Sequence, residues 1–159
     1  MQQIDQTTTK NNVPVQIWES ITLDWTPVLS MVLRTYAEIV DNKFATPSVD
    51  PLSFGKKRHK LTKVIWAQLE DGTPLGGIYY HLPKNVNQPA FILLSFTSPD
   101  HRGQGINSLC HNYLEQDCIK SGYKRLASNV HLNNESRLKS TVKVGMKPIF
   151  YTMYKKIAD

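Results

Sequence analysis

The chain has 159 residues, of which 40% are hydrophobic and 20% charged, with a formal net charge of +6. A chain of about 150 residues buries roughly 68–70% of its unfolded surface, so one ordinary core is affordable, and this composition excludes wholesale disorder and fibrous architectures. Apolar stretches run only a handful of residues, as in Ala90-Phe91-Ile92-Leu93-Leu94, far short of the ~20 that span a bilayer.

In chain order, residues 1–12 are Gln-, Thr- and Asn-rich and read as a flexible tail without the apolar centre of a signal peptide. Residues 13–159 are expected to form a single domain. Val13, Val15 and Ile17 alternate as the buried face of a strand over 13–19. Thr26-Pro27 has the form of an N-cap followed by proline at the first helical position, and apolar residues recur at helical spacing to about Asp41. Residues 42–62 are irregular and carry the basic run Lys56-Lys57-Arg58-His59-Lys60, the profile of a functional loop. Strands are predicted over 63–70 and 75–82, joined by a hairpin at Asp71-Gly72-Thr73-Pro74. The most apolar strand covers 89–97. A helix over 105–121 buries Ile106, Leu109, Cys110, Tyr113 and Leu114, and Gly122 stops it. A strand over 124–132, a helix over 133–144 and a strand over 149–157 complete the order. The fold class is α/β (α+β), with a mixed, mostly antiparallel central sheet and helices on both faces.

The segment Thr97-Ser98-Pro99-Asp100-His101-Arg102-Gly103-Gln104-Gly105-Ile106-Asn107 follows the most apolar strand and opens an amphipathic helix. Glycines let backbone approach a ligand closely, and a first helical turn offers about four unpartnered N–H groups and a partial positive charge. Together these suit an anion such as a pyrophosphate, with Arg102 able to reinforce it. The competing explanation is a tight strand-to-helix turn. A dinucleotide fingerprint and a nucleoside-triphosphate loop both fail on spacing.

Arg102-Gly103-Gln104-Gly105-Ile106-Asn107 resembles the Arg/Gln-x-x-Gly-x-Gly/Ala signature of the GCN5-related N-acetyltransferases (GNAT). Asn134-Glu135-Ser136-Arg137-Leu138, followed by Val144-Gly145-Met146, resembles the asparagine-led helix of that family, and the order of elements is similar from Val13 to Ile157. The resemblance implies a GNAT-like acyl-CoA N-acyltransferase fold that moves an acetyl group from acetyl-CoA directly to an amine. It places the coenzyme where strands 89–97 and 124–132 splay. Phe96 and Thr97 would pair with pantetheine, Arg102, Gly103, Gln104, Gly105, Ile106 and Asn107 would hold pyrophosphate, and Asn134 or Asn133 would touch the pantetheine arm. Two positions depart from the family pattern: Asn107 stands for a small residue, and Thr141 stands where a tyrosine often protonates the leaving thiolate.

Amine acylation needs a proton acceptor near neutrality and a donor for the thiolate. His131, Tyr80 and Tyr151 are the candidates, each with packing or exposure as its ordinary alternative. Cys110 and Cys118 lack metal spacing and activating neighbours, and no metal is expected. The expected partner is an amine-bearing small molecule or a protein or peptide; a homodimer is compatible, a membrane is not, and the compartment is cytoplasmic. A non-catalytic acyl-CoA binder is the alternative. A nucleic-acid module is disfavoured because no aromatic pattern accompanies the basic run. Residues 1–119 hold 10 Lys/Arg against 11 Asp/Glu, whereas residues 120–159 hold 9 against 2. The positive excess thus follows the glycine loop, as a phosphate-bearing ligand would favour.

Overall fold

A computed structural model describes residues 1–21, 62–130 and 134–149, together with Val28, Met31, Thr35, Ala37 and Glu38. The expected basic run, most of the first helix and the last strand lie outside the described residues.

Among the described residues, six strands form one sheet in sequential order. These are β1 (Gln2–Thr8), β2 (Pro14–Ser20), β3 (Thr62–Gln68), β4 (Pro74–His81), β5 (Ala90–Thr97) and β6 (Leu126–Ser128). Neighbours are antiparallel from β1 to β5, and β5 pairs with β6 in parallel. A short 3-10 turn, Pro99–His101, precedes helix α1 (Ile106–Lys120), and helix α2 (Glu135–Lys143) follows β6. No described helix is long and apolar enough to cross a membrane.

The expected tail is a correction: residues 2–8 are β1, paired with β2 from Gln2↔Glu19 to Thr8↔Pro14. Nearly every β1 side chain is exposed, so burial does not hold it. Backbone hydrogen bonds along the β2 edge do, and they leave no mark in hydropathy. The Tyr113 hydroxyl also donates to Asp5, tying β1 to α1. The polar side chains of β1 suit a strand that ends a sheet.

The hairpin forms as predicted, with Gly72 at φ +86° and the Thr73 N–H donating to the Asp71 carboxylate at 2.8 Å. Strand alternation sends Ile65, Ala67, Ile78 and Tyr80 to one face and Val64, Trp66 and Tyr79 to the other. The first face packs on Ile106, Cys110, Leu114 and Cys118, spaced four apart along α1. The second packs on Val28, with Met31 alongside. Helix α1 is also tied to the sheet by a polar clasp. The Asp117 carboxylate accepts from Lys63 Nζ at 2.7 and 3.0 Å and from the Tyr80 hydroxyl at 2.7 Å.

Two glycines on β4 permit this closeness. A Cβ at Gly77 would stand 2.5 Å from the Ile65 carbonyl oxygen, and one at Gly76 would stand 2.7 Å from that of Phe96. Strand β6 is shorter than the predicted 124–132. Its pairing covers only Ala90↔Leu126 to Ile92↔Ser128, because β5 changes direction at that point.

Candidate functional site

The change of direction is a bulge. Tyr79 pairs with Leu94 and Tyr80 with Ile92, which leaves Leu93 as an extra residue on β5. The consequence is visible in the packing. Ile92 belongs to the α1 face, yet Phe96, four residues on, is buried on the opposite face beside Leu93 and Leu94. An unbroken strand would put residues 92 and 96 on the same face. The bulge therefore reverses the alternation and bends β5 away from β6. Beyond Ile92, no described residue pairs with β5 on its β6 side. Phe96 and Thr97 lie on this unpaired stretch.

The chain then turns through Pro99–His101 into α1. Gly103 and Gly105 take φ of +79° and +84°, a left-handed conformation that favours glycine. Gly105 caps α1 without any side-chain hydrogen bond. As a result, none of the backbone N–H groups of residues 103–108 finds an acceptor among the described residues. Six consecutive donors at a helix start, reinforced by the helix dipole, make an anion site. A Cβ at Gly103 would meet nothing within 4 Å, so open space borders the loop.

The loop is braced from a direction the sequence does not announce. The Lys10 backbone N–H, in the β1–β2 turn, donates to the Gln104 carbonyl at 3.1 Å, and a Cβ at Gly105 would approach the Lys10 Cβ to 3.4 Å. With its carbonyl engaged there, the Gln104 peptide is held in one orientation. Arg102 behaves differently from expectation. Its guanidinium pairs with Glu38, and its backbone N–H donates to Pro99 at 3.3 Å. Its charge is thus shared with a carboxylate instead of being reserved for an anion at the turn.

After β6, Asn134 caps α2, its Oδ1 accepting from the Arg137 N–H at 3.0 Å. No described residue accepts from its amide nitrogen, which carries two donors. Thr141 is buried and donates its hydroxyl to the Arg137 carbonyl at 2.6 Å, so its proton is committed to the helix. Tyr80 is fully buried, and burial together with the Asp117 carboxylate drives its pKa far above the ordinary phenol range. This corrects the expectation for Tyr80. Its hydroxyl donates a hydrogen bond to Asp117 inside the core, which makes it a packing residue. Burial also pushes the Cys110 thiol up to about 12 and the Cys118 thiol up to about 11, so neither supplies a thiolate. His131, Asn133 and Tyr151 lie outside the described residues. No cluster of His, Cys, Asp and Glu suited to a metal ion occurs among the described residues.

The acyl-coenzyme A that the resemblance implies can be tested against the buried polar atoms of this region. Buried side-chain polar atoms are nearly always hydrogen-bonded. Among the described residues eight such atoms lack a partner, and they belong to Ser95, His101, Gln104, Asn107, His111 and Arg137. All of them lie on the unpaired part of β5, the glycine loop, the first turns of α1 or the first turn of α2. Polar atoms without partners thus cluster where a phosphate- and amide-bearing ligand would supply them. Sequence reasoning overlooks His111 and Arg137. The available signal is positional: His111 stands four residues after Asn107 on α1, and Arg137 is the third residue of α2.

Comparison with known proteins agrees with this geometry. The acetyltransferase (GNAT) family model matches residues 29–146. The structure is similar to an aminoglycoside acetyltransferase, meta-AAC0020, from an uncultured soil metagenomic sample, solved in complex with sisomicin. The TM-score is 0.70 at 15% identity, covering 91% of this chain and 97% of that one. It is similar to ribosomal-protein-alanine N-acetyltransferase from Brucella melitensis biovar Abortus 2308, with a TM-score of 0.66 at 17% identity over 91% and 99% of the two chains. AAC(6')-Iy in complex with the bisubstrate analogue CoA-S-monomethyl-acetylneamine also aligns, with a TM-score of 0.66 at 12% identity over 91% and 99%. No curated protein sequence matches. The family match spans well over half of the chain, and the solved structures share its sheet and helices: the chain belongs to the acetyltransferase (GNAT) family.

Proposed function

We propose that the protein is an N-acetyltransferase that moves the acetyl group of acetyl-CoA directly to the amine of an acceptor. The observation that carries this reading is the run of unpartnered N–H groups on residues 103–108, set beside the strand edge that the Leu93 bulge leaves open. In this reading the N–H groups of Gly103, Gln104, Gly105, Ile106 and Asn107 hold the pyrophosphate. The stretch of β5 around Phe96 and Thr97, which has no described strand on its β6 side, pairs with the pantetheine amides, and the Asn134 amide donates to a pantetheine carbonyl. Acetyl-CoA supplies an activated thioester, which the acceptor amine attacks with loss of a proton and release of the thiol.

The chain's own contribution is binding, orientation and proton handling. His131 is the proposed base for the ammonium proton, and Tyr151 is the proposed donor to the departing sulfur. Thr141 and Tyr80 take no part, since both hydroxyl protons are committed within the protein. The acceptor is a small amine or a peptide amine. Relatives of this fold named for aminoglycosides and for a ribosomal-protein alanine support that class without choosing within it.

A second reading, acyl-CoA binding without turnover, is favoured by one observation: the Thr141 hydroxyl is buried and bonded to the Arg137 carbonyl. Calorimetry with acetyl-CoA and a thiol-release assay across polyamines, amino acids, aminoglycosides and lysine peptides separate the two. Binding with release on some acceptor supports transfer; binding without release on all supports the silent relative. Gln104→Glu sets a carboxylate beside the N–H groups without straining the backbone. Its affinity should fall at least about 10-fold, and a wild-type affinity in the folded variant would refute the assignment of the loop. His131→Ala should lower turnover more than coenzyme affinity; unchanged turnover across pH would exclude it as the base.

A further inference from the structure

Strand β1 pairs with β2 through a break in register between Gln3 and Asp5. Gln3 stands opposite Trp18 and Asp5 opposite Ile17, so Ile4 is the extra residue of a bulge. Residues opposite one another in a sheet share a face. Ile17 belongs to the face that packs on α1, so the bulge turns Asp5 toward that helix. In an unbroken pairing Ile4 would take that place and Asp5 would point to the opposite face. Ile4 is instead 36% exposed, and the Asp5 carboxylate accepts from the Tyr113 hydroxyl of α1. The strand forgoes an apolar contact and makes a polar tie to the helix that the glycine loop opens.

The other end of β1 is fixed by Thr9, which is only 5% exposed. Its N–H donates to the Val13 carbonyl, and its carbonyl accepts from the Asn12 N–H, both at 2.9 Å. Its hydroxyl oxygen accepts from the N–H groups of Asn11 and Val13 at 3.3 and 3.2 Å. The N–H groups of Thr9, Asn11, Asn12 and Val13 are thus all used inside the turn. That of Lys10 donates outside it, to the Gln104 carbonyl at 3.1 Å. A trans peptide is planar, with its N–H and C=O pointing in opposite directions. Engaging the Gln104 carbonyl therefore aims the Gly105 N–H, one of the unpartnered donors of the loop, away from the hairpin.

The hairpin meets the α1 region at two places, Gln104 just before the helix and Tyr113 two turns into it. Nearly every β1 side chain is exposed, so these ties have little apolar burial behind them. A segment with so few buried contacts is one that opens at low cost.

We propose that the β1–β2 hairpin is a strap across the start of α1 whose docking is linked to coenzyme binding, with Thr9 and Tyr113 as its positioning residues. The inference rests on the acetyl-CoA reading above for the identity of the ligand. The docked strap fixes the Gln104–Gly105 peptide before the ligand arrives, which lowers the cost of ordering the loop on binding. Linkage is reciprocal: a ligand that binds the docked form more tightly holds the strap down by the same factor.

The test combines calorimetric binding of coenzyme A with backbone amide exchange of the whole chain, free and loaded. Thr9→Val deprives two N–H groups of their acceptor, and Tyr113→Phe removes the far tie while keeping the packing of the ring. Each should weaken coenzyme A binding about 2–10-fold. Thr9→Ser and Asp5→Asn keep a hydrogen-bonding group at each tie and should bind within about 2-fold of wild type. In wild type, coenzyme A should slow exchange of the Lys10 amide and of the β1 amides. In the free protein, Tyr113→Phe should speed exchange at Lys10, although Lys10 makes no contact with the substituted ring.

Wild-type affinity in Tyr113→Phe or in folded Thr9→Val would make these residues stabilising contacts only and overturn the strap. So would a β1 whose exchange coenzyme A leaves unchanged. If wild type binds no coenzyme A, the acetyl-CoA reading fails, and exchange in the free proteins decides the strap separately. Faster exchange at Lys10 in Tyr113→Phe would keep it as a brace of the loop, and equal exchange would remove it.

Discussion

Acidification should weaken this protein in a way that one substitution cancels. His111 is held neutral, with its pKa lowered from 6.5 to about 4 by burial and by the charge of Arg137. Above the unfolded value, the folded and unfolded chains both carry a neutral imidazole, and His111 makes no contribution to pH dependence. As the pH falls from 6.5 toward 4, the unfolded chain binds a proton there and the folded chain does not, so stability drops. Below about 4 both states are protonated and the loss stops growing. A lowering of that size corresponds to roughly 3 kcal/mol, a large part of the roughly 5–15 kcal/mol that holds a domain together. Urea unfolding of wild type and His111→Leu at a series of pH values isolates this contribution, because the other titrating groups largely cancel in the difference. The leucine side chain also eliminates two unpartnered nitrogens, which should raise stability by about 1–2 kcal/mol near neutrality. The variant's advantage should then widen by about 3 kcal/mol between pH 7 and pH 4. Parallel curves over that interval would show that His111 is not held neutral by its burial.

Three other outcomes follow from the packing. Gly77→Ala sets a Cβ 2.5 Å from the Ile65 carbonyl oxygen and 2.8 Å from the Trp66 Cβ, and should cost about 3 kcal/mol or more in chemical denaturation. Gly103→Ala, which meets nothing within 4 Å but sits at φ +79°, should cost only about 1 kcal/mol; equal losses would contradict the close approach at β4. Asp117→Ala leaves both Lys63 and Tyr80 without their acceptor at side-chain exposures of 20% or less, and should cost about 2–4 kcal/mol. A double-mutant cycle with Tyr80→Phe should show coupling of about 1 kcal/mol, and independent effects would mean the clasp does not form. Lys10→Pro removes the N–H that holds the Gln104 carbonyl at 3.1 Å. It should weaken acetyl-CoA binding several-fold while costing about 1 kcal/mol in stability; unchanged affinity would make the β1–β2 turn a bystander.

The sequence by itself determined every feature whose signal is local. Alternation placed β2, β-forming and apolar runs placed β3 to β5, Asp71-Gly72 placed the hairpin, and the four-residue spacing of Ile106, Cys110 and Leu114 placed the buried stripe of α1. The shape of the glycine loop was legible because Gly103 and Gly105 advertise a left-handed backbone before a helix start. Tertiary structure decided what depends on partners distant in the chain. Strand β1 exists because the edge of β2 pairs with it, and an exposed edge strand needs no apolar pattern. Period-two reasoning sends Ile92 and Phe96 to one face, and only the pairing register reveals the Leu93 bulge that separates them and opens the edge of β5. Tyr80 is a core residue because Asp117 lies over its hydroxyl. Arg102 is paired because Glu38 reaches it from the first helical region. His111 and Arg137 appear in the sequence as ordinary polar residues of two helices. Their burial without described partners arises only in the folded chain, since the cost of removing a polar group from water is set by its surroundings and not by its neighbours along the chain.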